Sequence, residues 1–123
     1  MIENEITYDI REAAFKVYKT LGPGLLESIY EHAMTCELIK MGHNVKTQVG
    51  IHVKYDDNPL ELGFRLDMLV DDLVIVEIKS VDQLADIHHK QLLTYLKLTK
   101  IKLGLLINFN TIDLKSSIIR IIN

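Results

Sequence analysis

The sequence predicts a single α/β (α+β) domain over residues 1–123, a mixed sheet flanked by helices with an extra helix at the N-terminus. Three observations carry that expectation. Apolar residues recur at three-and-four spacing as far as Leu38, the spacing changes to two from Val45, and a helical stretch near residues 86–97 separates two groups of strand-like sequence. With 123 residues, 48% of them hydrophobic and 25% charged, the chain suits one core and not two.

The first helix follows from Ile6, Ile10, Ala13, Ala14, Val17, Tyr18 and Leu21, which form one buried stripe. Gly22 suits the left-handed position after its C-terminus, and Pro23 cannot continue it. A second helix is expected to begin near Gly24, to carry Leu25, Leu26, Ile29, Tyr30, Ala33, Met34 and Leu38, and to stop at Met41-Gly42. Val45, Thr47, Val49, Ile51, Val53 and Tyr55 then alternate with polar residues, as in an edge or near-edge strand with one wet face. A turn at 56–59 leads to a second strand within "LELGFRLDMLV" (60–70), and Asp71-Asp72 turn the chain into a third at 73–81. That third strand, "LVIVEIKSV", is apolar on both faces at its start, which marks it as central. A helix over about residues 86–97, a fourth strand in "LGLLINF" and a last one in "SSIIRII" complete the order. Short turns make the first three strands antiparallel, and the helix lets the fourth return parallel by a right-handed crossover.

Composition excludes several function classes. No stretch approaches the roughly 18 uncharged apolar residues of a membrane span, and the N-terminus is acidic and helical, so a cytoplasmic protein with no membrane association is expected. The single cysteine, Cys36, has no partner for an internal disulfide and no zinc spacing around it, and reads as a packed or half-packed reduced thiol. A net charge of −3 argues against broad nonspecific affinity for nucleic acid. It does not argue against a nucleic-acid enzyme, because a carboxylate cluster lowers the charge by itself and Lys90, Lys97, Lys100 and Lys102 offer a local basic patch. His88 and His89 diverge around a helix and read as surface residues, while His32, His43 and His52 lack metal-ligand spacing.

The chemistry concentrates on the third strand. Glu77 and Lys79 share one face of a strand that should be buried, and an unpaired buried charge costs several kcal/mol or neutralises. Asp67, on the face of Arg65 and Leu69 in the preceding strand, supplies a reason if it stands beside Glu77. That requires pairing positions whose numbers sum to 144, hence a three-residue loop from Asp71 to Leu73 or a bulge; a plain two-residue turn puts the carboxylates on opposite faces. Two carboxylates beside a lysine make a hard-oxygen site suited to Mg²⁺ or Mn²⁺, with the lysine orienting an attacking water or neutralising charge on phosphorus.

Asp67 followed by Glu77-Ile78-Lys79 on the next strand resembles the signature of the PD-(D/E)XK nuclease superfamily, whose restriction-endonuclease-like core α-β-β-β-α-β corresponds to residues from about 24 to 109. "GLLESIY", Gly24 to Tyr30, is similar to the motif of the GxxExxY family, and "QLLTY", Gln91 to Tyr95, resembles the Gln-x-x-x-Tyr helix of the exonuclease branch. The motif aspartate here follows Leu66 where the superfamily usually has proline. The resemblance implies that Asp67, Glu77 and Glu27 hold the metal and that Lys79 is the catalytic lysine. It further implies that Gln91, Tyr95, Arg65 and Tyr30 face the substrate, Arg65 either holding a phosphate or pairing with a carboxylate. The expected activity is metal-dependent hydrolysis of phosphodiesters in nucleic acid, DNA before RNA, with the Gln-Tyr pair suggesting cleavage from an end. The alternative is a non-catalytic module of the same fold that binds nucleic acid or a partner protein as an accessory subunit. The acidic balance and minimal size suit work with a partner protein or as a homo-oligomer.

Overall fold

The computed structural model describes residues 2–60 and 63–123. Its elements are α1 (Ile2–Leu21), α2 (Glu27–Lys40), β1 (Val45–Ile51), β2 (Lys54–Tyr55), β3 (Asn58–Pro59), β4 (Phe64–Val70), β5 (Val74–Lys79), α3 (Asp86–Thr99), β6 (Leu103–Asn108), a 3-10 turn at Lys115–Ser117, and β7 (Ile118–Ile122). The expected mixed sheet is present in the order β1-β4-β5-β6-β7, with β5 at its centre. Among the described residues, only the β5-β6 pair, joined through α3, is parallel.

A central strand buries both faces, and the helices divide the work. On one face α1 and α2 pack Ile10, Ala14, Tyr30, Met34 and Leu38 over Met68, Val70, Val74, Val76 and Ile78. On the other, Leu92 and Leu96 of α3 cover Leu66, Leu69, Ile75 and Leu106. Each such aliphatic side chain contributes about 1.5–3 kcal/mol by leaving water. Helix α3 comes closest at Gly104, where an added Cβ would stand 3.0 Å from Leu92 Cδ1.

Several expectations change. Helix α2 starts at Glu27, not near Gly24, because Leu26 is extended (φ −69°, ψ 149°) and residues 22–26 form a corner between helices. The alternating run 45–55 is not one strand. It ends at Ile51, and Lys54-Tyr55 pair instead with Asn58-Pro59 across Asp56 and Asp57, whose φ values of 50° and 61° are those of a tight hairpin turn. Glu61 and Leu62 of the expected second strand lie outside the described residues. Cys36 is exposed, not packed.

At the β4-β5 turn a further group was not foreseen. His43 Nδ1 lies 2.5 Å from Asp71 Oδ2 and its Nε2 lies 2.7 Å from Asp9 Oδ2. Asp71 Oδ1 also accepts the Asn44 N–H. Although burial opposes it, the two carboxylates raise the His43 pKa, and the ring joins α1, the α2-β1 connection and the β4-β5 turn.

Candidate active site

The β4-β5 register is Met68↔Val76, Leu69↔Ile75 and Val70↔Val74, every pair summing to 144. The loop between them is therefore Asp71, Asp72 and Leu73, as direct opposition of Asp67 and Glu77 requires. Asp71 and Asp72 make it possible by taking left-handed φ values of 54° and 57°, which short polar side chains tolerate best after glycine.

Beyond Met68↔Val76 the two strands part, and carboxylates replace the ladder. The Asp67 N–H donates to Glu77 Oε2 at 2.9 Å, and the Ile78 N–H donates to Asp67 Oδ2 at 2.8 Å. Each carboxylate thus satisfies an amide of the opposite strand and keeps a second oxygen out of that exchange. Glu77 is only 3% exposed. Burial first, then the charge of Asp67, pushes its pKa up to about 8, with a smaller push from Glu27; the Asp67 amide and Lys79 pull the other way. On this buried strand Glu77 is thus a carboxyl group that holds its proton at neutral pH unless a cation replaces it.

Glu27 is the first residue of α2 and is exposed. Its place depends on the corner before it. The Tyr30 hydroxyl donates to Gly22 O at 2.5 Å and accepts the Leu25 N–H at 3.1 Å. Its ring stacks on Phe109 with centroids 4.3 Å apart, and the Ser80 hydroxyl at the end of β5 donates to Leu25 O at 2.6 Å. Tyr30 is fully buried. The substrate contact expected of it is therefore corrected: its hydroxyl is spent on the backbone, and it positions the N-terminus of α2.

On the other side Tyr95 is half-buried, with its ring stacked on Phe64 at a centroid distance of 4.2 Å. Burial, then Glu77 and Asp67, raise its hydroxyl pKa, which places it within electrostatic range of both carboxylates. Gln91, one turn earlier on α3, is exposed, and Lys79 at the end of β5 is half-buried. Arg65 is exposed and does not share a face with Leu69: it alternates with Phe64 and Leu66, which pack on the α3 side together with Leu69. Sequence reasoning missed Glu31 and Gln48. Gln48 Nε2 donates to Glu31 Oε2 at 2.9 Å, and burial raises the Glu31 pKa with a contribution from Asp67. The available signal was the four-residue spacing of Glu31 from Glu27, which puts both on one side of α2.

The donor set fits a hard divalent cation of Mg²⁺ type. Asp67 and Glu77 offer adjacent oxygens, and a cation offsets both the burial and the repulsion from Asp67 that raise the Glu77 pKa. Among the described residues no three His, Cys, Asp or Glu side chains converge into a complete cage. Two carboxylates, with water and substrate oxygens completing the sphere, is the habit of Mg²⁺. A separate cavity of about 590 Å³ with a mixed polar and apolar lining lies past the C-terminal ends of β5 and β6, bounded by Pro23, Asp82, Leu84, His89 and Ile112 among others, and Asp67, Glu77 and Lys79 do not line it.

A family model described as the PD-(D/E)XK nuclease superfamily matches residues 4–121, nearly the whole chain. No curated protein and no solved structure matches.

Proposed function

This chain belongs to the PD-(D/E)XK nuclease superfamily, and we propose that it is a Mg²⁺- or Mn²⁺-dependent nuclease that hydrolyses phosphodiesters in nucleic acid, with DNA the first substrate to test and RNA the second. The observation that carries the reading is the reciprocal pair formed by Asp67 and Glu77, two carboxylates held edge to edge by amides of opposite strands beside Lys79. Asp67 and Glu77 hold the metal, and Glu27 adds negative charge from α2. The bound metal supplies an activated water and neutralises charge on the phosphate. Lys79 orients that water or compensates charge developing on phosphorus. Tyr95 limits the pocket on the α3 side, and Gln91 and Arg65 contact the nucleic-acid backbone. The Gln91-Tyr95 pair and the Gly24-to-Tyr30 corner support the narrower likeness to the exonuclease branch and the GxxExxY family, and with it cleavage from an end.

Calorimetric titration with Mg²⁺ and Mn²⁺, run beside cleavage of linear, circular and single-stranded DNA and of RNA, tests this. Glu77→Ala is expected to lose metal binding and at least a hundredfold of the cleavage rate. Cleavage of linear but not circular DNA supports action from an end. A folded wild type that binds neither metal and cuts none of the substrates sinks the reading.

A further inference from the structure

Side chains alternate along a strand, so residues an even number apart share a face. Strand β4 breaks this rule. Phe64 and Leu66 pack on the α3 side, whereas Met68 and Val70 pack on the α1-α2 side. Strand β1 breaks it as well: Val45 packs toward α1 and α2, Val49 and Ile51 toward α3. No residue is inserted, because Thr47↔Met68 and Val49↔Leu66 keep the same sum of 115 on either side of the break. The residue of β1 that this register sets opposite Asp67 is Gln48, and its φ is +52°, a left-handed backbone inside a strand. Non-glycine residues hold such a conformation only where the surroundings impose it, and such outliers gather at functional sites.

We infer that Gln48 is a positioning residue, whose left-handed backbone turns Asp67 edgewise between β4 and β5 and brings Phe64 under Tyr95. The inference rests on the nuclease reading for its purpose. Were β1 regular, Val49 and Ile51 would fall on the side of Val45, and β4, paired to it, would carry Phe64 to the side of Met68 and Val70. Tyr95 would then lose its stacking partner, and Asp67 would stand square to the sheet instead of accepting the Ile78 N–H. The side chain of Gln48 fastens the turn to Glu31, on the helix that also presents Glu27. One backbone distortion in an edge strand thereby sets two features of the site, the carboxylate of Asp67 on the neighbouring strand and the Phe64-Tyr95 stack between that strand and α3.

Gln48→Val and Gln48→Gly separate backbone from side chain. Both remove the bond to Glu31, but glycine accepts a positive φ freely and valine resists it. The amide resonances of Asp67 and Ile78, each hydrogen-bonded to a carboxylate, report the geometry without metal; Mn²⁺ titration reports its consequence. Gln48→Val is expected to move both amides by several tenths of a ppm and to weaken Mn²⁺ binding tenfold or more. Gln48→Gly should keep the amides in place and the affinity within about threefold. If the valine variant does not fold, Gln48→Ala carries the same comparison. Wild-type amides and affinity in Gln48→Val overturn the inference, and so does an equal loss in the glycine variant, which would assign the effect to the side chain. A wild type that binds no Mn²⁺ while Gln48→Val still moves the two amides overturns the nuclease reading and upholds the positioning.

Discussion

Glu77 is where folding and function oppose each other. Its carboxyl ionises near pH 4.5 in a solvated chain and near 8 in the fold. Between those values the folded state holds a proton that the unfolded state has released, so stability falls as pH rises through that window. The loss approaches about 1.4 kcal/mol per pH unit. The same proton competes with metal, and affinity should rise up to about tenfold per unit until pH 8. Glu77→Gln keeps the shape and removes the titration. Without metal it is expected to melt several degrees above wild type at pH 8 and close to it at pH 5, while binding no Mn²⁺. Calorimetric scans at the two pH values check this, and equal melting points at pH 8 would contradict it.

Among the elements, the β4-β5 hairpin decides whether a site exists. Its three-residue loop keeps Asp67 opposite Glu77, and a slip of one residue moves every side chain to the other face. Deleting Asp72 leaves a two-residue turn. Cleavage should fall below detection and thermal stability should drop by several degrees, because Met68 and Val70 would leave the α1-α2 core; a variant that still cuts would show that the strands reach their pairing by another route. This hairpin was legible in the sequence because the demand that two carboxylates meet fixes the sum of paired positions. The break at Gln48 was not legible. The run from Val45 to Tyr55 alternates without interruption, and glutamine carries no turn signal, so only the pairing with β4 and the tether to Glu31 betray it. Tyr30 was legible as a motif but not as a role, since a tyrosine in the first turn of a helix can face outward or toward the backbone, and the choice depends on Gly22 and Leu25 closing upon it.

For the whole molecule the sign of the charge matters. The chain carries −3 overall, and the acidic side chains of Glu27, Glu31 and Asp67 stand around the protonated Glu77, so a phosphate backbone approaching without a cation meets repulsion. Binding of DNA should therefore be weak in the presence of a chelator and at least tenfold tighter with Ca²⁺, a hard divalent ion that carboxylate oxygens also bind. Fluorescence anisotropy of a labelled duplex under the two conditions measures the difference, and equal affinities would place recognition on the lysines of α3 and its exit. The order of elements and the central place of β5 followed from periodicity alone. The extra hairpin at residues 54–59 did not, since two short β-like stretches joined by Asp56 and Asp57 read as a continuation of β1 until the backbone turns at both aspartates.

Gly104 has no part in chemistry, yet it acts as a spacer of zero thickness between α3 and the sheet. The helix that carries Tyr95 rests on it through Leu92. Even one methyl group there would work like a shim beneath a lever, tilting the far end of α3 and moving the tyrosine ring off its stack with Phe64. The tolerance of this fold to mutation is therefore set in part by an absence: a buried position where even a methyl group makes Leu92 give way by a few tenths of an ångström.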